Sequence, residues 1–372
     1  MTTTRSSTST SGAATTAALQ HDYLSADEIA SQSPAWWQNV LGVVGFEKLP
    51  AIEGSRVPLA ASMTPALGAN DAVCEVWRVA GSGVQLPNGV AQRGRVRYRC
   101  CRDFLFGSIS IDERLLEPES AVPGGDAGVA AGALLRATEI AYQEIFAVLR
   151  ETTHPHLIRI WNYVPEINRE AGGDERYRLF NSARQMAFRN SGQAMVGSVP
   201  AASALGSPAG SPLSIYFLAA RRPPKMIENP RQTSAYHYPP KFGRHSPIFS
   251  RACVLQESAG TNLFVSGTAS IVGYETIHHG DVGAQTRETV ANISALLDEV
   301  NRVVGSARYS LGDLKFKVYV RQPSDLSAIE GALARALQIS TPIVYLRADV
   351  CREDLLVEIE ATGESACRGA LM

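Results

Sequence analysis

An α+β fold, built from mixed sheets with helices packed on one face, is what the sequence predicts, and three observations predict it. Short runs rich in β-branched and aromatic residues recur along the chain. Segments with apolar residues at helical spacing alternate with those runs in the C-terminal half. The same order of elements returns, more faintly, in the N-terminal half, as two copies of one unit would give.

In the C-terminal half, Leu213–Ala220 (LSIYFLAA) reads as a buried strand. Arg251–Gln256 and Asn262–Ile271 are two further runs, separated by the turn-like ESAGT. Val282–Val304 places Val290, Ile293, Leu296, Leu297 and Val300 on one helical face. Leu314–Arg321 alternates as a strand and Ser324–Ala336 is a second helix. Thr341–Arg347 and Leu355–Glu360 close the series, giving β-β-β-α-β-α-β-β. In the N-terminal half, FLFGSISID (104–112) corresponds to NLFVSGTAS (262–270). A helix over Ala130–Glu151, a strand over His156–Val164 and a helix over Glu175–Asn190 follow in the same order. Between the halves, GQAMVGSVPAASALGSPAGSP (192–212) is rich in Gly, Pro, Ser and Ala and reads as a linker or long loop. The expected division is therefore a disordered tail over 1–22, an α+β domain over 23–191, the linker, and a catalytic domain over 213–372.

Composition narrows the function. The 372 residues include 35 Lys+Arg and 36 Asp+Glu, a formal net charge of −1, which argues against bulk nucleic-acid binding. Hydrophobic residues at 45% are enough for a substantial core. No apolar run approaches the ~20 residues of a membrane span, and no basic segment leads into an apolar one at the N-terminus. The expectation is a soluble, cytosolic protein with no membrane or nucleic-acid partner. The Ser/Thr/Ala-rich stretch 1–20 reads as a tail, and Arg5 alone is a poor cationic signal for a transit peptide. Cys74, Cys100, Cys101, Cys253, Cys351 and Cys367 form no CxxC pair, and no HExxH or HxH accompanies them, so free thiols and no metal site are expected.

Three stretches hold residue types that carry chemistry. The first, 221–251, contains seven Lys/Arg and one acid, Glu228, together with Tyr236 and Tyr238. Such a loop can set arginines and tyrosines around an anion, or it can be a solvated basic surface. The second, 265–297, joins Gly267 and Gly273 to a helix whose N-cap is Asp281 and whose one side carries Gln285 and Asn292. An anion site at that helix start and a purely structural strand–turn–helix are both compatible with it. His278–His279 reads as a polar turn. The third, 345–361, brings together Arg347, Cys351 and Glu358. Alternation puts Glu358 and Glu360 on one face of the last strand. A sheltered Glu358 would have a raised pKa suited to a general acid, whereas on an edge strand both glutamates would face water.

Taken together, SGTASIVG, GDVGAQTRETVANISALL and the arginine followed by LLVEIEA resemble the RidA/YjgF superfamily, whose small α+β units assemble as trimers with ligand sites between subunits. The longer frame resembles the chorismatases more closely. WNYVPEIN (161–168), ERYRLFNSAR (175–184) and ENPRQTSAYHYPP (228–240) occur in that family's order, over roughly residues 70–365. The resemblance implies two RidA/YjgF-like (chorismate-mutase-like) units acting on chorismate, with no metal or organic cofactor. It implies that Glu358 protonates the enol ether. It assigns the two carboxylates of the substrate to Arg347 and to Arg178 or Arg184, with Arg244 a further candidate. Tyr236 and Tyr238 would line the ring, Tyr236 being the better match. Gly267 and Cys351 resemble the branch that makes 3-hydroxybenzoate, in some members with 4-hydroxybenzoate, rather than a dihydroxycyclohexadienoate. The parent superfamily suggests an enamine/imine deaminase as the alternative, with Arg347 holding a carboxylate, and a non-catalytic anion-binding module is the third possibility. A duplicated chain would be a monomer or a small homo-oligomer.

Overall fold

The computed structural model describes residues 17–47, 57–62, 64–68, 73–81, 84, 86–116, 125–305, 309–338 and 340–366. Residues 1–16 of the expected tail and Cys367 lie outside the described residues. A central seven-stranded sheet runs, in spatial order, Asp349–Val350, Ala201–Ser207, His156–Pro165, Leu213–Ala220, Phe104–Ile111, Val96–Cys100 and Ala91–Arg93. A C-terminal six-stranded sheet runs Lys225–Ile227, Ala252–Glu257, Gly260–Thr268, Val357–Ala366, Leu314–Val320 and Ile343–Arg347. Long helices cover one face of each: Gly125–Glu151 and Arg176–Asn190 on the first, Val282–Val304 and Leu326–Leu337 on the second.

The two sheets have the same strand order and the same directions. Phe104–Ile111 and Gly260–Thr268 each pair antiparallel with a late strand, Leu213–Ala220 or Val357–Ala366. That strand pairs antiparallel with His156–Pro165 or Leu314–Val320, which in turn runs parallel to Ala201–Ser207 or Ile343–Arg347. The duplicated α+β unit expected from the sequence is therefore present. Its boundary is not where composition placed it. The segment 192–212 contains Ala201–Ser207, a strand hydrogen-bonded on both sides, and Leu213–Ala220 belongs to the first unit, not the second. Small residues there reflect close packing rather than linker flexibility: a Cβ on Gly206 would lie 2.5 Å from the Cβ of Asp349 and 2.7 Å from Ile167.

A third sheet, Ala18–Ser25, Val73–Ala80, Val40–Phe46 and Leu59–Ser62, repeats the antiparallel, antiparallel, parallel order with only two short helical segments, Ala26–Ala30 and Pro34–Trp37, in its connection. Its first strand starts at Ala18, so part of the expected 1–22 tail is paired backbone. The inner faces of all three sheets meet in one aromatic core containing Trp77, Trp161, Tyr216, Phe264 and Tyr319. Trp161 stacks on Tyr216 with ring centroids 4.5 Å apart, a favourable offset contact for buried aromatics.

Candidate active site

A cavity of about 590 Å³ opens at the seam between the two large sheets, where it is large enough for a small organic ligand. A narrow recess continues inward from it, sharing Tyr177, Pro247, Phe249, Gly267, Cys351 and Glu358 with the outer chamber. Each wall has a local cause. Tyr177, Asn181 and Arg184 stand at i, i+4 and i+7 of the helix Arg176–Asn190, which puts them on one face. Ala202, Ser203 and Ala204 come from the strand Ala201–Ser207, within the stretch whose composition reads as linker. Gly267 and Glu358 come from paired strands of the C-terminal sheet.

Glu358 is buried, 4% exposed, because its strand is interior: Gly260–Thr268 lies on one side and Leu314–Val320 on the other. This overturns the reading in which both glutamates face water. Val357, Ile359 and Ala361 turn toward the helices, so Glu358 and Glu360 both point to the seam. Their fates differ. Burial, then the charge of Glu360, pushes the Glu358 pKa up to about 8, so near neutrality it holds its proton. Burial pushes Glu360 up as well, but Lys317 and Arg159 outweigh it and hold this carboxyl below its usual range. Gly267 makes room for the acid: a Cβ there would fall on the Glu358 carboxyl and 3.0 Å from Ser203 Oγ.

The arginines are distributed differently from the sequence expectation. Arg347 is exposed at the end of the edge strand Ile343–Arg347 and does not line the cavity. Its backbone N–H donates to the Pro65 carbonyl at 2.8 Å, which fixes the strand end but leaves the side chain outward. Arg244 is also exposed and outside the lining. Arg178 reaches the mouth, where it faces Asp174 at 3.6 Å and Glu175 at 3.7 Å. Arg184 is the buried one, 2% exposed, against the rings of Tyr142 and Phe188. Its Nε and Nη2 have no hydrogen-bond partner among the described residues, at the inner recess.

Two cations unassigned by the sequence line the outer chamber. Arg251 donates from Nη2 to Tyr238 Oη and to the Thr233 carbonyl, both at 2.8 Å, while its buried Nε has no partner among the described residues. Arg352 lies over Phe242 at 4.0 Å from the ring centroid and donates from Nη1 to the Tyr274 carbonyl at 2.9 Å, and its buried Nη2 has no partner among the described residues. Both had a signal: Arg251 closes the basic loop and Arg352 follows Cys351. Tyr238 lines the cavity, whereas Tyr236 packs against the core of the first unit. Within 221–251 the expected ligand-facing loop is therefore its distal part, and Arg221, Arg222 and Lys225 are exposed.

Cys351 lines both chamber and recess, and burial, followed by the nearby Glu358 charge, pushes its thiol up to about 12. It is a neutral thiol, not a nucleophilic thiolate. The turn that carries it is held from behind by Arg321, which donates to the carbonyls of Val350, Arg352 and Leu355, to Asp349 and to Asn168. Gln285 holds the same turn, donating to the Asp354 carbonyl at 2.9 Å and accepting from the Leu356 N–H at 2.8 Å. Asn292 bonds the carbonyls of Ala269 and Ile271, so both helix residues serve as braces. Asp281 caps the helix through the Ala284 N–H, as its position predicts, and His278 and His279 lie on a partly exposed turn facing Glu288 and Asp354.

Comparison with protein families, curated proteins and solved structures gives matches of each kind. The family model described as Chorismatase FkbO/Hyg5-like, N-terminal, matches residues 75–219. A 3-hydroxybenzoate synthase of Streptomyces hygroscopicus is 41% identical over 238 residues, covering 62% of this chain and 69% of that protein. A chorismatase of Streptomyces rapamycinicus is 35% identical over 298 residues, covering 78% of this chain and 82% of its own length. A crystal structure of a chorismatase superposes with a TM-score of 0.78 at 29% identity, covering 95% of this chain and all of that one.

Proposed function

The chain belongs to the chorismatase family, and on that premise we propose that it removes the enolpyruvyl group of chorismate to give pyruvate and 3-hydroxybenzoate, with Glu358 as the general acid. One observation carries this reading: a carboxyl that keeps its proton to about pH 8 faces a cavity lined by arginines with unused donors. An enol ether becomes a good leaving group once its methylene carbon is protonated. Glu358 donates that proton and an oxocarbenium ion forms. The ring hydroxyl next to the ether then attacks the ether-bearing ring carbon, the ring C–O bond breaks toward oxygen, and pyruvate departs as a ketone. The proton lost by the attacking hydroxyl returns to the Glu358 carboxylate. Opening of the epoxide and loss of a ring proton give the aromatic acid, with 4-hydroxybenzoate as the minor direction of opening. The atoms of chorismate equal those of the two products, and no co-reactant is needed.

Chorismate carries two carboxylates, which suits two separated cationic ends. Arg184 at the recess is the inner clamp and Arg352 with Arg251 the outer one, each offering a buried N–H that a carboxylate oxygen satisfies. Tyr238 and Phe242 supply the apolar wall. Gly267 leaves the acid close to the backbone, and the Cys351 thiol is placed to assist proton movement during aromatisation. The test is incubation of the purified protein with chorismate, with chromatographic resolution of products and a parallel pyruvate assay. Pyruvate with 3-hydroxybenzoate is expected. Pyruvate with a dihydroxycyclohexadienoate would replace internal attack by water, and no pyruvate would overturn the proposal.

A further inference from the structure

Glu360 lies two residues beyond the acid on the same face of the same strand, and it is tied almost entirely by residues from outside its own sheet. Arg159 Nη2 and Ser203 Oγ donate to its Oε2 at 2.6 and 2.7 Å, and Trp161 Nε1 donates to Oε1 at 2.6 Å. These three belong to the central sheet. Lys317, on the neighbouring strand, stands 2.9 Å from Oε1 and bonds Glu75 of the N-terminal sheet at 2.6 Å. Glu75 accepts further from Trp77 at 3.1 Å and Tyr216 at 2.9 Å. All three sheets thus converge on a line of alternating charge, Glu75–Lys317–Glu360–Arg159. Ser203 joins that line to the cavity, because its Oγ also accepts the Gly267 N–H at 3.1 Å.

We propose that Glu360 is a positioning residue for the protonating step: a carboxylate locked in its ionised form by the other sheets, whose fixed charge keeps the proton on Glu358 between turnovers. The proposal rests on the reading of Glu358 as the acid. Four hydrogen bonds and ion pairs saturate Glu360, so a proton there would have to displace a donor. The substrate-facing acid makes none of these bonds, and its environment decides its state. Around it stand Glu360 on its own strand, Arg159 on the central sheet, Arg251 on the loop, Arg321 behind the turn, Cys351, Arg352 and Glu353 on the turn, and Tyr177 with Arg184 on the helix, with Glu175 at the mouth. Among the carboxylates, Glu360 is the one that raises the Glu358 pKa most, and Arg159 is the cation that lowers it most.

The experiment is the pH dependence of kcat/KM for the wild type, E360Q and R159Q, with Tm measured for each. The alkaline limb of kcat/KM reports ionisation of the acid in the free enzyme. E360Q is expected to move that limb down by about one pH unit or more, since it deletes the like charge and leaves Arg159 without its carboxylate partner, while Lys317 keeps Glu75. R159Q is expected to move it up, since it deletes a cation while Lys317, Trp161 and Ser203 still hold Glu360. Limbs unmoved in folded variants, or moved in the same direction, would overturn the assignment. Should E360Q fail to fold, the double variant E360Q/R159Q, which removes both ends of the ion pair, carries the test: its limb is expected below that of R159Q, and a limb equal to that of R159Q would overturn the assignment. E358Q separates the two readings: full activity in E358Q removes the acid itself, whereas an inactive E358Q beside an unmoved limb in E360Q removes only the role of Glu360.

Discussion

Glu358→Gln keeps the shape of the acid and removes its proton, and kcat is expected to fall by about 10²–10⁴ with little change in substrate affinity. In the wild type, activity should decline as pH rises through about 8, where the buried acid loses its proton. Between the ordinary glutamate range and that value the folded chain holds a proton that the unfolded chain releases, so this group makes stability fall as pH rises. Arg184→Ala is expected to raise KM at least about tenfold, the worth of one charge-assisted bond, because it deletes the buried donors at the recess. Arg347→Ala should leave KM unchanged, as its side chain is exposed beyond the lining. Steady-state kinetics on both variants check the pair, and the reverse result would restore the sequence assignment. Gly267→Ala places a methyl on the end of a flexible carboxyl rather than on backbone. It should spare Tm while moving the acid, with product analysis showing a shift from 3-hydroxybenzoate toward the hydrolysed diene.

At the scale of an element, the turn before the last strand matters most. It presents Cys351 and Arg352 to the chamber, and Arg321 spans it with five hydrogen bonds from one guanidinium. Arg321→Ala leaves the carbonyls of Val350, Arg352 and Leu355 without that donor, which should cost roughly 2–4 kcal/mol of stability. Denaturant titration measures the loss, and kcat should fall with it because the turn leads into Glu358. Unchanged stability would mean that Gln285 braces the turn adequately from the helix side.

For the molecule as a whole, three sheets of one strand order share a single aromatic core. Asp349–Val350, from the second unit, is hydrogen-bonded into the sheet of the first. Neither large unit can separate without exposing Trp161, Tyr216 and Phe264 and stranding the charges of Lys317 and Glu360. Thermal unfolding followed by far-UV circular dichroism and by tryptophan fluorescence should therefore give one coincident transition. Two resolved transitions would show the units to be independent.

Periodicity and alternation were enough to determine the helix Val282–Val304, the strand Leu314–Val320 and the doubled α+β order, because each depends on which residues recur along a face. The resemblance of short motifs pointed to Glu358, Cys351, Gly267, Arg184 and Tyr238, all of which line the cavity or its recess. Composition misread Ala201–Ser207, since small residues suit a loop and a closely packed strand equally, and only pairing distinguishes them. Alternation left two glutamates equivalent on one face of a strand, the motif resemblance picked Glu358, and only the tertiary structure supplies the physical difference between them. Their sequence context is nearly identical. Glu360 meets Lys317, Arg159, Trp161 and Ser203, drawn from distant parts of the chain, while Glu358 meets the cavity, and burial with or without compensating charge sets the state of a carboxyl.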